Sequence, residues 1–399
     1  MRRPLLIALL VAPLILGAGG LAARRPAPPA PGPSAALVVV AGERRIRDED
    51  IAFYRRRIAD DPTGAIDLVK LGALLLQRAR ATGDESDLVA AEASARRSLA
   101  NRAVRNDAAW QLLAGALLGQ HRFVEARGAA ERLVALDPDD AARRAVLGEI
   151  ELELGRYPVA DALFAPLAPR RYTPALAPRY ARWLELRGHA GEARRLLEWA
   201  RAAAARDEAT PVEQRGWYEL RLGELALRFG ALDEARRRLD AGLALVPDDW
   251  HLLAARSRLA LAQKDYRTAM EMGDSSLARH LDPATLAAVG DARWAEGDTA
   301  QAEQYYRGME AATRGPSGGF HRSWYLALLD HDRRVPEVLA AVTKDLETRR
   351  DAYGYDLLAW ALYKSGRMPE ARSAALRAVA WGTEDPQIRA HADSIGAAR

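Results

Sequence analysis

The 399 residues carry 58 Lys and Arg against 54 Asp and Glu, and 49% of them are hydrophobic. A charge balance so near to even, with the arginine runs 55–57 and 236–238 set among acids on helical segments, excludes the one-sided basic face of a nucleic-acid binder. The lack of any cysteine excludes disulfides, thiolate metal sites, iron–sulfur clusters and a cysteine nucleophile.

The apolar residues are mostly Ala and Leu, which lose least on entering a helix, so an all-α chain is expected. Lys occurs only at positions 70, 264, 344 and 364, and this preference for Arg suggests a GC-rich bacterial genome. Met1-Arg2-Arg3, the apolar run Leu5 to Leu16 and the small-residue stretch Gly17 to Ala23 read as a Sec-type export signal cleaved near residues 20 to 23. The protein is then periplasmic or secreted. The alternative is an uncleaved inner-membrane anchor over residues 5–23, barely long enough to span a bilayer and the chain's one expected membrane contact.

Residues 24–46 open with too much proline for a helix or ladder and read as an extended linker, with Leu37 to Val40 as a β-prone end to it. Over residues 47–62, Ile51, Tyr54 and Ile58 share one helical face, acids at Asp48, Glu49 and Asp50 open the segment, and Asp61-Pro62 closes it. This predicts a single capping helix.

From 63 to 386 a period of about 34 residues appears. The unit starting at Asp107 has Trp110, Leu113, Phe123, Ala126, Leu133 and a closing Asp137-Pro138. Leu147-Gly148, Gly155, Tyr157 and Ala160 match it in the next unit, and Leu222-Gly223, Gly230, Leu232 and Ala235 match it further on. A small residue at the eighth place and another at the twentieth let two helices approach, a turn glycine reverses the chain, and proline near place thirty-two stops the second helix. The copy at 65–100 carries extra residues around Ala81 to Asp84, read as a longer inter-helix loop, and residues 202–215 read as a stretched link between two units. Lys264 replaces the turn glycine of one unit, and 320–353 is the weakest copy, next to a Gly315–Gly319 loop that reads as a hinge. Residues 387–399 read as a tail.

This pattern closely resembles the tetratricopeptide repeat family. The resemblance implies a right-handed superhelical solenoid of about nine antiparallel helix-turn-helix repeats, with the first helix of each lining a concave groove. In that register Arg182, Glu185, Trp217, Arg228, His251, Arg258, Asp291, Trp294, Tyr353, Trp360 and Tyr363 are the candidate groove residues. Aromatics and Arg are what protein interfaces use as anchors. Several of these residues, Trp360 above all, serve equally well as packing between neighbouring repeats.

No catalytic or cofactor constellation is legible. The seven histidines show no i, i+4 pair and no His-Glu-x-x-His; His321, Asp330, His331 and Asp332 read as a solvated turn; and Gly315 to Gly319 lacks the residues of a phosphate loop. The Lys and Asn of a carboxylate clamp are also missing. The expectation is a non-enzymatic scaffold of the cell envelope that binds a protein or peptide, with a small-ligand or glycan receptor on the same groove as the alternative.

Overall fold

The computed structural model describes residues 33–314 and 321–397. The leader, the proline-rich stretch to residue 32 and the glycine loop read as a hinge lie outside the described residues. Among the described residues all regular elements are helical, and no helix is long and apolar enough to cross a membrane.

The first helix, α1, spans Pro33–Asp60. It therefore includes Leu37 to Val40 and the rest of 33–46, which read from sequence as linker. The reason is tertiary: Val40 is buried against Val212, Val246 and Leu252, far along the chain. Arg44 pairs with Glu213 at 2.8 Å and Asp248 at 2.7 Å, Arg47 pairs with Glu213 at 2.6 Å, and the Glu43 carboxylate accepts from the Val212 N–H at 3.0 Å.

Nine hairpins follow among the described residues. The first three are α2 (Ala65–Thr82) with α3 (Glu85–Asn101), α4 (Asp107–Gly119) with α5 (Phe123–Leu136), and α6 (Ala141–Glu153) with α7 (Tyr157–Phe164). The middle three are α8 (Ala177–Leu186) with α9 (Ala190–Arg206), α10 (Val212–Arg228) with α11 (Leu232–Leu245), and α12 (Trp250–Ala262) with α13 (Tyr266–Leu277). The last are α14 (Pro283–Ala295) with α15 (Thr299–Ala312), α16 (Arg322–Asp330) with α17 (Val335–Asp345), and α18 (Ala352–Lys364) with α19 (Met368–Val379). The presumed tail forms a closing helix, α20 (Pro386–Ile395). The extra residues of the first hairpin lengthen α2 to Thr82 instead of its loop, which is only Gly83-Asp84.

Local chemistry explains these limits. Asp84, Asp140, Asp249, Asp282, Asp298 and Asp351 each accept a hydrogen bond from a backbone N–H two or three residues on, which satisfies the open end of the helix that follows. The small residues at the twentieth place, Ala126, Ala160, Ala193, Ala235, Ala269, Ala302 and Ala371, have no exposed surface at all. At the eighth place, a Cβ on Gly290 would stand 2.6 Å from the Tyr306 ring, and one on Gly223 would stand 2.7 Å from Leu239, so the large side chain of the second helix occupies that space.

The superhelix is tight enough for its successive turns to touch. Gly83 faces His280, His121 faces His321 with ring centroids 4.5 Å apart, the Arg350 N–H donates to the Leu154 carbonyl at 3.2 Å, and Gly188 abuts the Gly382 carbonyl. The turns within hairpins one to four thus meet the loops that follow hairpins six to nine. One superhelical turn is complete in between five and six hairpins.

Candidate functional site

Three first helices carry charged side chains at helical spacing on the face turned away from their own hairpin: Arg182 and Glu185 on α8, Arg221, Glu224 and Arg228 on α10, and Arg258 on α12. The curvature of the array brings these stripes together. Arg221 contacts Glu185 at 3.3 Å and Glu224 at 3.0 Å, Arg258 contacts Glu224 at 3.2 Å, and Arg228 contacts Glu185 at 3.3 Å.

The second superhelical turn adds two groups. Arg182 donates to the Tyr353 hydroxyl at 3.2 Å with its guanidinium 5.0 Å from the ring, and that hydroxyl donates to Asp385 at 3.2 Å. Asp385 also lies 3.6 Å from Arg228 and caps α20 by accepting from the Gln387 N–H. The result is a lumen crossed by ion pairs. Although neighbouring helices surround them, Arg182, Arg221, Glu224, Arg228 and Arg258 keep 22–38% of their side chains exposed, so solvent reaches them. Burial raises the Glu224 pKa, but Arg221 and Arg258 outweigh it and hold the carboxyl below its usual range. Arg182 is held well above its ordinary value: burial disfavours its charge, and Tyr353 and Glu185 more than offset that.

A second group sits nearer the C-terminus. The Trp360 indole donates to Asp330 at 2.9 Å and stacks on His391 at 4.2 Å, with Tyr363 stacked beside it at 5.0 Å. Trp360 therefore packs between neighbouring elements and does not stand free in a groove. His391 lies 3.0 Å from both oxygens of the buried Asp356 carboxyl, whose pKa is raised by burial and only partly lowered by the histidine. Asp291 accepts from the Tyr306 hydroxyl at 2.8 Å and lies 3.4 Å from His331.

Of the sequence candidates, Arg182, Glu185, Arg228, Arg258 and Tyr353 meet in the lumen; Trp360 and Tyr363 meet in the second group, and Asp291 pairs with Tyr306 and His331. Glu185, expected to project into a groove, is buried beneath its three arginines. His251 stacks on Trp250 at 3.5 Å, at the start of α12. Trp217 is 39% exposed and Trp294 58% exposed. Sequence reading missed Arg221 and Glu224, which share a helix face with Arg228 and were open to discovery by spacing. It also missed Asp385, for which no local signal exists. Among the described residues, no group of three or more His, Asp or Glu side chains is arranged to hold a metal ion.

No family model matches the chain, and no curated protein matches it. Three solved structures are similar to the chain. The APC/C hetero-tetramer Cut9–Hcn1 is 16% identical with a TM-score of 0.46, over 81% of this chain and 55% of that one, so the chain spans about half its length. A tetratricopeptide repeat protein from Parabacteroides merdae ATCC 43184 is 12% identical with a TM-score of 0.29, over 82% and 98%. PilW, a widely conserved type IV pilus biogenesis factor, is 16% identical with a TM-score of 0.34, over 62% and 96%. Scores this low bear on neither function nor partner. By the successive helical hairpins of its described residues, the chain is an all-α helical repeat solenoid.

Proposed function

We propose that the protein is a non-catalytic scaffold of the bacterial cell envelope, exported or anchored by its leader, that binds a protein or peptide partner on the concave side of the array. The observation that carries this reading is the set of part-exposed arginines on α8, α10 and α12, held ready by Glu185, Glu224 and Asp385. A segment with mixed apolar and acidic side chains replaces those internal carboxylates and covers Trp217 and Trp294.

The test is affinity capture from an envelope fraction with the full chain, alongside the Trp294→Ala and Arg258→Gln variants. A partner held by the parent chain and lost from both variants supports the reading. Capture of nothing, or equal capture by all three, overturns it. N-terminal sequencing of the mature protein decides between cleavage and anchoring. The two exposed indoles also favour a second reading, a receptor for a glycan or other small ligand on the same groove, and calorimetry with cell-wall fragments separates the two.

A further inference from the structure

Away from the lumen, the seam between superhelical turns holds an open cleft of about 480 Å³. Gly155, in the α6–α7 turn, forms one wall. Arg350, Tyr355, Arg377, Ala380 and Trp381, from the last hairpin and its flanks, form the rest.

The cleft is built in advance of any ligand. Gly155 adopts φ +71° and lies against the Arg350 backbone, where no Cβ fits. Tyr157 sets its ring edge-on to Trp381 at 5.0 Å, and the Trp381 carbonyl accepts from Arg187 at 3.5 Å. Arg377 lies over the Tyr355 ring at 5.4 Å. A fixed floor lowers the entropy cost of binding.

Its charge is uncompensated. Neither Arg350 nor Arg377 has a carboxylate partner among the described residues, whereas the adjacent Arg349 pairs with Glu153 at 3.2 Å. The Arg350 side chain makes one hydrogen bond, from Nε to the Leu346 carbonyl at 3.2 Å, which leaves both terminal nitrogens for a ligand. Two exposed guanidiniums beside half-buried aromatic rings suit an anionic head on a flat apolar body, because the fork of Arg matches carboxylate and phosphate while the rings take a planar face.

We propose that this cleft binds a small organic anion with an aromatic body, an aryl carboxylate or aryl phosphate, held by Arg350 and Arg377 and seated on Tyr355 and Trp381. Because both superhelical turns contribute walls, the bound anion also tightens the seam.

Calorimetry on the full chain with phenyl phosphate, benzoate and inorganic phosphate tests this. The expected result is saturable binding of at least one aryl anion, one molecule per chain, with inorganic phosphate at least about tenfold weaker. Benzoate against phenyl phosphate identifies the head group. Arg350→Gln and Arg377→Gln each weaken the aryl anion by roughly tenfold or more, while Trp381→Leu weakens it without affecting inorganic phosphate. Both arginines are exposed, so melting curves of the two Gln variants match the parent and exclude unfolding as the cause. The proposal is overturned if neither aryl anion binds up to roughly 10 mM, if inorganic phosphate binds as well as they do, or if the double Gln variant binds them unchanged.

Discussion

The phenolic oxygen of Tyr157 accepts a hydrogen bond from the backbone N–H of Ala352 at 2.7 Å, joining residues 195 positions apart. Both are buried to 1% exposure, so water has no access to replace this bond. Burial raises the Tyr157 pKa far above its ordinary value, and the hydroxyl stays protonated. Tyr157→Phe leaves the amide unpaired in the seam and is expected to cost about 1–3 kcal/mol in urea denaturation. Hydrogen exchange at Ala352 speeds up in the same variant, and unchanged exchange there contradicts a closed seam.

Glu185 holds the lumen together. Its carboxylate lies within 3.7 Å of Arg182, Arg221 and Arg228. Glu185→Gln leaves three like charges facing one another in a confined space, and a loss of roughly 2–4 kcal/mol follows. Arg45→Gln, which breaks a surface pair with Glu49, is the control and costs less than about 0.5 kcal/mol. Equal effects in denaturant melts refute the lumen network.

The seam histidines make stability depend on pH. Burial first, then His321, Arg349 and Arg322, lower the His121 pKa to about 4. Burial likewise lowers His321 and His280. The folded chain keeps these rings neutral, while the unfolded chain protonates them near pH 6.5. Stability is therefore nearly complete at pH 7 and falls as the pH drops through 6.5, by roughly 3 kcal/mol for His121 alone once the pH reaches about 4. Glu224 adds a loss only at lower pH, because its depressed pKa keeps it charged until then. Urea melts at pH 7 and pH 5 check the sign, and His121→Asn flattens the slope while tolerating the backbone φ of +57°.

Lys264 occupies a left-handed turn position, φ +59°, where Gly230, Gly297 and Gly366 stand in equivalent turns. Its side chain is exposed, so little contact is lost on removal. Lys264→Gly is expected to stabilise the chain by about 0.5–1 kcal/mol, seen as a higher melting temperature. A lower melting temperature means that the lysine has a role the backbone does not reveal.

Nearly all of the hairpin architecture was legible in the sequence, because each unit is held by contacts within about 34 residues. Gly290 and Tyr306, or Gly223 and Leu239, announce their packing by size and spacing alone. The candidate site was legible in part. Arg182, Glu185 and Arg228 come from one register reading and lie together in the lumen, yet nothing in the sequence showed that Glu185 is buried beneath arginines. Residues 33–46 were misread for a related reason: proline just upstream suggested a linker, while the partners that hold them helical, Val212, Glu213 and Asp248, lie about five repeats away.

The sequence by itself determined the helical class, the repeat, the turn glycines and the stripes of charge on the first helices. Only the tertiary structure decided that the array closes on itself, that Tyr353 and Asp385 cross the lumen to Arg182 and Arg228, and that Arg350, Arg377 and Trp381 gather at a seam. The physical reason is curvature. The path of a solenoid is the sum of small rotations between neighbouring hairpins, so whether residues 190 to 200 apart touch depends on angles that no local pattern encodes.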